Sequence, residues 1–259
     1  MKVLIIGGDS LIGNYLEKFI INELGFNVTK TSRRENISSN EIFFDLRQEQ
    51  EISLIENYDF AVICAGITNI RYCQENQDEA KHVNLINIIR LIDTLIQNRC
   101  HVIFLSSNLV FSGEKAFYDK DDLRNPKTIY GDLKKQVEDY LLEACPASSS
   151  ILRLTKVLPD RLTAYQPWQK EVIEGNTVTM YVDTYISPVM IEEVGDVVAN
   201  LLRDKLSGIF QLGGYNEISN FDFAISWATQ NNLDVTLIKP SLNHDPRYSQ
   251  HNSLLRVIP

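Results

Sequence analysis

The chain has 259 residues, of which 44% are hydrophobic and 23% charged, a composition that excludes intrinsic disorder, collagen and coiled coil. Its formal net charge of −9 at pH 7 disfavours a nucleic acid partner, because the surface as a whole repels a polyphosphate backbone. At roughly 150 residues per domain, the length predicts one large α/β domain or one domain with a small appendage.

The sequence shows no pattern for a membrane span, a disulfide framework or a metal site. No apolar run approaches the roughly 18 residues of a spanning helix, and the run Val3–Ile6 is too short for a signal peptide. We therefore expect a cytoplasmic protein with no membrane partner. Cys64, Cys73, Cys100 and Cys145 are far apart and form no Cys-x-x-Cys pair, which predicts reduced thiols that pack as small apolar side chains.

The first thirty residues predict a strand, a helix and a second strand. Val3–Ile6 is an apolar run that ends at two glycines, as in strands buried on both faces of a parallel sheet. Apolar residues then recur three and four positions apart from Leu11 to Leu24, which predicts a helix that ends at Gly25. A strand at Asn27–Thr31 completes a βαβ unit, the usual start of a Rossmann-type, doubly wound parallel sheet.

Strands and helices continue to alternate, less regularly in the second half. Further strands are predicted at Ile42–Phe44, Phe60–Cys64, Val102–Leu105, Ile151–Leu154, Ile209–Leu212 and Val235–Ile238. Further helices are predicted from after Glu75 to about Gln97, from about Glu192 to Asp204, and near Phe221 to Thr229. The tail from Ser241 is predicted to be irregular.

This order of elements predicts a Rossmann domain with a small C-terminal substrate-binding subdomain. We assign residues 1–157 to a dinucleotide-binding domain, residues 158–183 and 213–259 to a substrate-binding lobe, and residues 184–212 to a return into the Rossmann core. In such sheets ligands bind over the carboxyl ends of the strands.

The segment Gly7–Gly13, with the sequence Gly-Gly-Asp-Ser-Leu-Ile-Gly, lies where a dinucleotide-binding loop belongs. The first glycine suits the tight turn, the last allows close packing of helix and strand, and the first helical amides face a pyrophosphate. Ser10 occupies the middle glycine position of this motif, so either the backbone stands farther from the pyrophosphate or the hydroxyl contacts it. The candidate phosphate-binding residues are Gly7, Asp9, Ser10, Leu11, Ile12 and Gly13.

The end of the second predicted strand indicates which dinucleotide is bound. An NAD site has an acid here that accepts from the ribose 2′-hydroxyl, whereas this chain has no carboxylate between the strand and Glu35. Arginine matches a phosphate with two parallel hydrogen bonds. We therefore expect Ser32, Arg33 and Arg34 to bind the 2′-phosphate of NADP(H), with NAD(H) less favoured. A solvated loop is the alternative interpretation of the two arginines.

Tyr130 and Lys134 are four residues apart and therefore share one face of a predicted helix. A free phenol has a pKa near 10, too high to exchange protons readily at pH 7. An ammonium about 4 Å away, at an effective dielectric of about 20, would favour the phenolate by about 4 kcal/mol and lower the pKa by roughly 3. We therefore expect Lys134 to tune Tyr130. The alternative is a surface tyrosine, a helical pair of Lys134 with Glu138, and a capping role for Ser107.

The positions of these residues resemble those of the extended short-chain dehydrogenase/reductase superfamily, which has Ser or Thr after the fifth strand and Tyr-x-x-x-Lys on the next helix. The run Leu105–Gly113, with Asn125-Pro126 and Tyr130-Gly131, resembles more closely the dTDP-4-dehydrorhamnose reductase branch, the nucleotide-sugar 4-ketoreductases. The resemblance extends from Met1 to about Thr229.

This resemblance implies a reductase that takes its hydride from a nicotinamide cofactor. Lys134 would hydrogen-bond the nicotinamide ribose, Ser107 would hold the substrate carbonyl, and Tyr130 would deliver the proton. Asp45 would accept from the adenine amino group, although a turn or helix cap is an equal interpretation. The further candidate cofactor-binding residues are Leu46, Cys64, Ala65 and Gly66.

The substrate is expected over the strand ends, with Thr68, Asn69, Asn108, Phe111, Tyr165 and Trp168 as candidate contacts. Trp168 would stack on a base, and ordinary packing is the alternative for each of these side chains.

Two other functions stay open. One is an NAD-retaining epimerase or dehydratase of the same superfamily. The other is a catalytically idle NADP-binding regulatory subunit. This function is favoured by three positions at which the sequence departs from the pattern of the reductase branch, namely Ser10, Leu109 and Asp245. A homodimer also stays open.

Overall fold

The computed structural model of the protein describes residues 1–34, 40–48, 57–159, 166–245 and 250–259. The strands are β1 (Lys2–Ile6), β2 (Asn27–Ser32), β3 (Glu41–Phe43), β4 (Phe60–Ile63), β5 (His101–Ser107), β6 (Ser149–Leu154), β7 (Val157–Leu158), β8 (Val178–Tyr181), β9 (Tyr185–Ile186), β10 (Val189–Met190), β11 (Gly208–Leu212), β12 (Ile218–Ser219) and β13 (Ile238–Ser241). Seven of them form the central sheet, in the order β11-β6-β5-β4-β1-β2-β3.

The helices are α1 (Leu11–Phe19), α2 (Ile70–Glu75), α3 (Gln77–Lys81), α4 (Asn87–Gln97), α5 (Ile129–Ala144), α6 (Pro167–Ile173), α7 (Ile191–Asp204) and α8 (Asn220–Gln230). Two π-helical turns, Ile20–Leu24 and His82–Ile86, extend α1 and join α3 to α4. Among the described helices none is both long and apolar enough to cross a membrane.

Helices cover both faces of the central sheet, because each strand alternates its side chains between the two faces. In β1, Leu4 and Ile6 pack in the hydrophobic cluster with α4 and α5, whereas Val3 and Ile5 pack with α1 and α7. All strand pairs of this sheet are parallel. The strand order changes direction at β1, so the predicted doubly wound, Rossmann-type α/β fold is confirmed.

The long helix expected from after Glu75 to about Gln97 is confirmed, because α3 starts at Gln77 and continues through the π-helical turn and α4 to Gln97. Asn76, whose φ of −125° and ψ of 59° leave the helical region, separates it from α2, which was not predicted. One predicted strand differs from the structure. The strand expected at Val235–Ile238 is wrong, because Val235–Leu237 forms a 3₁₀ turn and β13 starts only at Ile238. Asp234 caps that turn by accepting from Thr236 N at 2.8 Å, an alternative to strand pairing that Asp readily provides.

A smaller hydrophobic cluster lies beside the carboxyl edge of the main sheet. It joins α6 and α8 to the parallel pair of β8 and β13, around Val172, Trp227 and Ile238. Residues 250–259 return from this region to the main sheet, where Gln211 and Val257 exchange two backbone hydrogen bonds of 2.9 Å. This part of the predicted lobe therefore contacts the Rossmann core directly.

Candidate active site

The turn between β1 and α1 is too tight to admit side chains at two of its glycines. Gly7 has a φ of 87°, and a Cβ there would lie 2.8 Å from Ala65 N. A Cβ on Gly13 would lie 2.3 Å from Gly7 O. Residues with a side chain rarely adopt the first conformation, and the second contact leaves no room for a methyl group. The helix therefore starts directly above the end of β1.

Ser10 caps this helix with its hydroxyl. Its Oγ donates to Gly7 O at 2.7 Å and accepts from Gly13 N at 3.0 Å. Both of these hydrogen bonds lie within the turn, so the hydroxyl already has a capping role. A backbone that stands farther from the pyrophosphate, or a hydroxyl that contacts it, stays a prediction. The N–H groups of Leu11 and Ile12 belong to the first helical turn, which has no intrahelical acceptor for them. They fit the phosphates of a dinucleotide.

A carboxylate does reach the end of β2, contrary to the sequence-based expectation. Asp9, in the glycine-rich turn, accepts from Ser32 Oγ at 2.7 Å and from Arg33 N at 3.3 Å. Its other oxygen lies 3.7 Å from Arg34 Nε. The prediction considered only residues that follow β2 in sequence and so missed an acid from the neighbouring loop. Glu35 lies outside the described residues.

The loop after β3 favours the structural interpretation of Asp45. Its Oδ1 accepts from Arg47 N at 3.0 Å, and its carbonyl accepts from Gln48 N at 3.0 Å. Leu46 is buried, and its carbonyl accepts from Asn87 Nδ2 at 2.6 Å. Asp45 is thus a turn cap, and the loop is fixed against α4.

The loop after β4 forms one wall of the cleft, and a residue of the π-helical turn holds it in place. Cys64 and Ala65 line the cleft. Asn84 accepts from Ile67 N at 2.7 Å and donates to Ile67 O at 2.8 Å. A Cβ on Gly66 would lie 3.0 Å from Asn84 Oδ1, so the loop lies directly on this amide. Burial raises the pKa of the Cys64 thiol to about 12, which keeps it a neutral, apolar part of the wall.

The end of β5 and the start of α5 are packed against each other without intervening side chains. Thr128 caps α5 by accepting from Gly131 N at 3.0 Å, and a Cβ on Gly131 would lie only 2.1 Å from Leu109 O. Ser107 starts the 3₁₀ turn that contains Leu109 and accepts from Leu109 N at 3.2 Å. This close contact places Tyr130 beside Ser107, whose hydroxyl lowers the pKa of the phenol.

Burial controls the titration of Tyr130 and Lys134. It raises the pKa of Tyr130, which is 9% exposed, to about 12 and lowers the pKa of Lys134 to about 8. The expected lowering of the phenol pKa by Lys134 is therefore wrong for this state of the protein. Lys134 Nζ donates to Leu105 O at 2.8 Å and lies 5.9 Å from the centroid of the Tyr130 ring, so desolvation outweighs the attraction of the ammonium.

Of the alternative structural roles, only the capping role of Ser107 is observed, at the start of the 3₁₀ turn. Tyr130 is buried, and Glu138 forms an ion pair of 2.8 Å with Arg153 in place of the helical pair with Lys134. Glu138 also accepts from Ser106 Oγ at 2.5 Å and from Arg124 at 3.0 Å. Both members of the Glu138–Arg153 pair are fully buried. The only sequence signal for a buried ion pair at Arg153 is that this charged residue lies within a predicted apolar strand.

A cleft of about 540 Å³ brings the three predicted catalytic residues together with part of the predicted cofactor site. It lies over the carboxyl ends of the strands, as expected for this fold. The predicted residues that line it are Ser10, Leu11, Ile12, Cys64, Ala65, Thr68, Ser107, Asn108, Tyr130 and Lys134. The predicted cofactor residues that do not line it are Gly7, Asp9, Gly13, Ser32, Arg33, Arg34, Asp45, Leu46 and Gly66. Within the described ranges no three His, Cys, Asp or Glu side chains are grouped as a metal site would require.

Three predicted substrate residues lie elsewhere. Phe111 is 1% exposed and stacks on Tyr118 with ring centroids 4.5 Å apart, so it is a core residue. Asn69 caps α2 by accepting from Tyr72 N at 2.9 Å. Trp168 lines a second pocket, of about 280 Å³, and packs edge-on against Trp227. Tyr165 and residues 246–249 lie outside the described residues.

Among the lining residues that were not predicted are Lys156 and Asn252. Lys156 follows β6 and lines both the cleft and the second pocket, and burial lowers the pKa of its amine. Asn252 reaches the cleft from the tail, accepts from Asn108 Nδ2 at 2.8 Å and donates to Tyr185 O at 2.7 Å. A lysine directly after a buried strand was a usable signal for the first. The sequence held no signal for the second.

A glycine-rich turn that faces a buried serine, tyrosine and lysine across one cleft defines the short-chain dehydrogenases/reductases, a class of NAD(P)-dependent oxidoreductases. Within this class the chain belongs to the family of the RmlD substrate binding domain, whose model matches residues 1–252.

Three known proteins illustrate the similarity. A probable low-salt glycan biosynthesis reductase of Haloferax volcanii, Agl14, is 27% identical over 206 residues, which are 76% of this chain and 68% of that protein. The dTDP-4-dehydrorhamnose reductase of Bacillus anthracis, solved with NADP, superposes with a TM-score of 0.85 at 17% identity and covers 98% of this chain and 90% of its own. A UDP-glucose 4-epimerase of Thermus thermophilus, solved with NAD, gives 0.84 at 18% identity, with 99% and 91% covered. The two superpositions show the fold alone.

Proposed function

We propose that the protein is an NADPH-preferring reductase that converts the 4-keto group of a nucleotide-activated sugar into a hydroxyl. The observation on which this proposal rests is the meeting of Ser107, Tyr130 and Lys134 with the first-turn amides of Leu11 and Ile12 in one cleft. Residues 1–157 and 184–212 would hold the cofactor, and residues 158–183 and 213–259 would bind the substrate. We place the reaction in the cytoplasm.

The glycine-rich turn fits a dinucleotide because it combines close backbone approach with free helical amides. The contacts of Gly7 and Gly13 exclude side chains where a pyrophosphate would lie, and the dipole of α1 favours its negative charge. The wall formed by Cys64 and Ala65 would face the adenosine and ribose portions. NADPH, when bound, supplies a hydride to the carbonyl carbon of the substrate.

Ser107 and Tyr130 would then act on the carbonyl oxygen. Ser107 orients it through a hydrogen bond from its hydroxyl, and Tyr130 donates the proton that completes the alcohol. A phenol whose pKa burial raises to about 12 keeps its proton at neutral pH. It can give that proton up once hydride transfer puts negative charge on the substrate oxygen, because an alkoxide is a stronger base than a phenolate. The phenolate that remains is stabilised by the nearby Lys134 ammonium and recovers its proton from solvent.

The pocket beside the cleft supports a nucleotide portion in the substrate. It shares Lys156, Ile186 and Asn220 with the cleft, so one ligand could occupy both spaces. Lys156 lies at this junction, where an ammonium would balance the charge of a diphosphate. Trp168 lies farther in and offers an aromatic surface to a base. The chain is similar to Agl14, a probable glycan biosynthesis reductase, and this similarity agrees with a sugar substrate.

The NADPH preference rests on Arg33 and Arg34 at the end of β2. A guanidinium forms two hydrogen bonds to a phosphate and keeps its charge at all physiological pH values. The side chain of Arg34 is 77% exposed, so it can turn towards a bound 2′-phosphate without unfolding the loop.

The test is the loss of NADPH absorbance with a panel of 4-keto dTDP-, UDP-, GDP- and CDP-sugars. We expect one of them to be reduced and Tyr130→Phe to lower the rate by about 10²- to 10⁴-fold, the usual contribution of a general acid, with dinucleotide binding intact. Tyr140→Phe is the matched control, because Tyr140 is on the same helix and hydrogen-bonds Asp93. Reduction at an unchanged rate in Tyr130→Phe would contradict the mechanism.

Two other outcomes would identify the alternative functions. Purification with tightly retained NAD, and interconversion of sugars without net NADPH consumption, would indicate an epimerase or dehydratase, a function that the fold similarity also allows. A stoichiometric partner enzyme whose activity is unaffected by Tyr130→Phe would indicate a regulatory subunit.

A further inference from the structure

The carboxylate of Asp9 lies at the point where the sheet meets the adenosine end of a bound dinucleotide. Ser32 is the last residue of β2, and its hydroxyl donates to Asp9 Oδ2 at 2.7 Å. The backbone N–H of Arg33, the next residue, points to the same oxygen at 3.3 Å. In the Rossmann fold this strand end meets the ribose 2′ position.

These contacts engage the neutral donors that a 2′-phosphate would use. The Ser32 hydroxyl gives its proton to Asp9 and accepts from Arg34 N at 3.0 Å. Thr31 Oγ1 accepts from Gly7 N at 2.9 Å and is therefore also held within the loop. A phosphate at this position would face the Asp9 carboxylate at short range, whereas a 2′-hydroxyl could donate a hydrogen bond to it.

Arg33 and Arg34 have the opposite effect to Asp9, because their positive charges attract a 2′-phosphate. Arg34 Nε lies 3.7 Å from Asp9 Oδ1, so its guanidinium is shared between this carboxylate and any phosphate that arrives. Of the neighbouring cations on the packed elements, Lys30 is already paired with Glu17 at 2.7 Å and with Glu41 at 3.2 Å. Among the described residues, the balance at the 2′ position therefore lies between Asp9 on one side and Arg33 with Arg34 on the other.

We propose that Asp9 determines cofactor specificity, by giving NADH an acceptor for its 2′-hydroxyl and limiting the advantage that the arginines give NADPH. This inference rests on the proposed NAD(P)H-dependent function and goes beyond it, since it assigns a selecting role to an acid in the glycine-rich turn. It predicts a protein that uses both cofactors and binds NADPH at most about tenfold more tightly than NADH, because the Asp9 carboxylate offsets part of the attraction of the two arginines.

The test measures dinucleotide affinity directly, without a sugar substrate. NADH and NADPH are titrated into the wild-type protein, Asp9→Asn and Arg34→Ala by calorimetry. Asp9→Asn keeps the size of the side chain and removes its charge. We expect the ratio of the NADH to the NADPH dissociation constant to rise about tenfold or more in Asp9→Asn, mainly through tighter NADPH binding, and to fall in Arg34→Ala.

Asp121→Asn is the matched control, because it makes the same substitution in an exposed ion pair with Lys120, in the loop between β5 and α5. Its affinity ratio should equal that of the wild-type protein. If the ratio of the two dissociation constants is unchanged in Asp9→Asn, whether both affinities change equally or neither changes, Asp9 at most supports the turn and the inference is wrong. The absence of binding of either dinucleotide would also overturn it. If the ratio shifts as expected but no keto sugar is reduced, the cofactor inference stands and the substrate proposal fails.

Discussion

The amides of Asn108 and Asn252 form a hydrogen bond of 2.8 Å between residues that are 144 positions apart in sequence. Asn108 also accepts from the Ser107 hydroxyl at 3.3 Å, and Asn252 donates to Tyr185 O at 2.7 Å. Glu217 fixes this part of the tail by accepting from Asn252 N at 3.0 Å. The tail is therefore connected to Ser107, the proposed catalytic serine, through two side-chain amides.

Asn252→Ala should reduce catalysis more than stability. The loss of the amide pair should cost about 1 kcal/mol of unfolding free energy, whereas Ser107 would lose the support that orients its hydroxyl. We expect kcat to fall about tenfold, with a smaller change in KM. Steady-state kinetics and urea unfolding of the same preparation measure both effects.

A double-mutant cycle with Asn108→Ala distinguishes this role from a general loss of packing. If Asn252 acts through Asn108, the two losses in kcat should combine to less than their product. Leu255→Ala is a suitable control, since Leu255 is in the same segment and 44% exposed. Independent, fully multiplicative effects would show that the amide pair is not the connection.

Lys134→Met should stabilise the protein at neutral pH. Below about pH 8 the amine is charged in both the folded and the unfolded chain, and burial of that charge disfavours the fold. The pKa falls from 10.5 to about 8 on folding, which corresponds to about 3 kcal/mol, partly offset by about 1 kcal/mol for the lost Leu105 hydrogen bond. Met removes the charge at similar length, so we expect a net gain of about 2 kcal/mol at pH 7.

The pH dependence provides the sharper measurement. Between pH 8 and 10.5 the unfolded chain holds a proton that the folded protein has lost, so the stability of the wild type rises with pH and the advantage of Lys134→Met disappears. Urea unfolding of both proteins at pH 7 and pH 10 measures this difference. Lys135→Met, at the neighbouring and 30% exposed position, should show no such trend. A difference between wild type and Lys134→Met that is independent of pH would refute the burial argument.

Gly131→Ala should destabilise the protein even though alanine is the better helix former. Helix propensity alone would favour alanine by about 1 kcal/mol, but the new Cβ would lie 2.1 Å from Leu109 O. The start of α5 must then move away from the end of β5, at a cost of about 1–3 kcal/mol, and Tyr130 moves with it. Thermal unfolding and kcat should both decrease, whereas Gln136→Ala on the same helix should change neither substantially.

The buried Glu138–Arg153 pair yields a prediction about charge balance. Arg153→Met leaves Glu138 without its principal partner in a fully buried position, which should cost about 3–5 kcal/mol. Adding Glu138→Met removes the stranded carboxylate, so the double variant should recover part of that loss. Urea unfolding of the single and double variants measures this coupling, and a single variant that loses less than about 1 kcal/mol would contradict it.

The sequence predicted that Ser107, Tyr130 and Lys134 lie together in one cleft, because their arrangement depends on the order of elements. Parallel strands end at one edge of the sheet, so Ser107 after β5 and Tyr130 at the start of α5 had to lie near the turn of Gly7. The periodicity of apolar residues predicted this order, and the resemblance to the short-chain dehydrogenases/reductases supplied the roles of the three residues. The periodicity located most strands within one or two residues, because buried strands and amphipathic helices differ clearly in period.

The remaining features depend on side-chain direction and on contacts distant in sequence, which periodicity does not contain. Asp9 turns towards Ser32 across the neighbouring strand, and Asn252 enters the cleft from the tail. Phe111 follows the catalytic strand like a substrate contact, yet the Arg153 guanidinium lies 5.0 Å from its ring centroid and encloses it in the core. The pKa of Tyr130 depends on its burial, which the spacing from Lys134 does not reveal.

The π-helical turn His82–Ile86 makes this region sensitive to insertion and deletion. The wider turn contains one more residue than a regular α-helical turn, and it presents Asn84 to the loop that contains Gly66 and Ile67. Removing one residue would restore a regular helix but rotate the preceding residues by about 100° about its axis. Natural variants should therefore tolerate substitutions on the outer face of this turn far better than any change in its length.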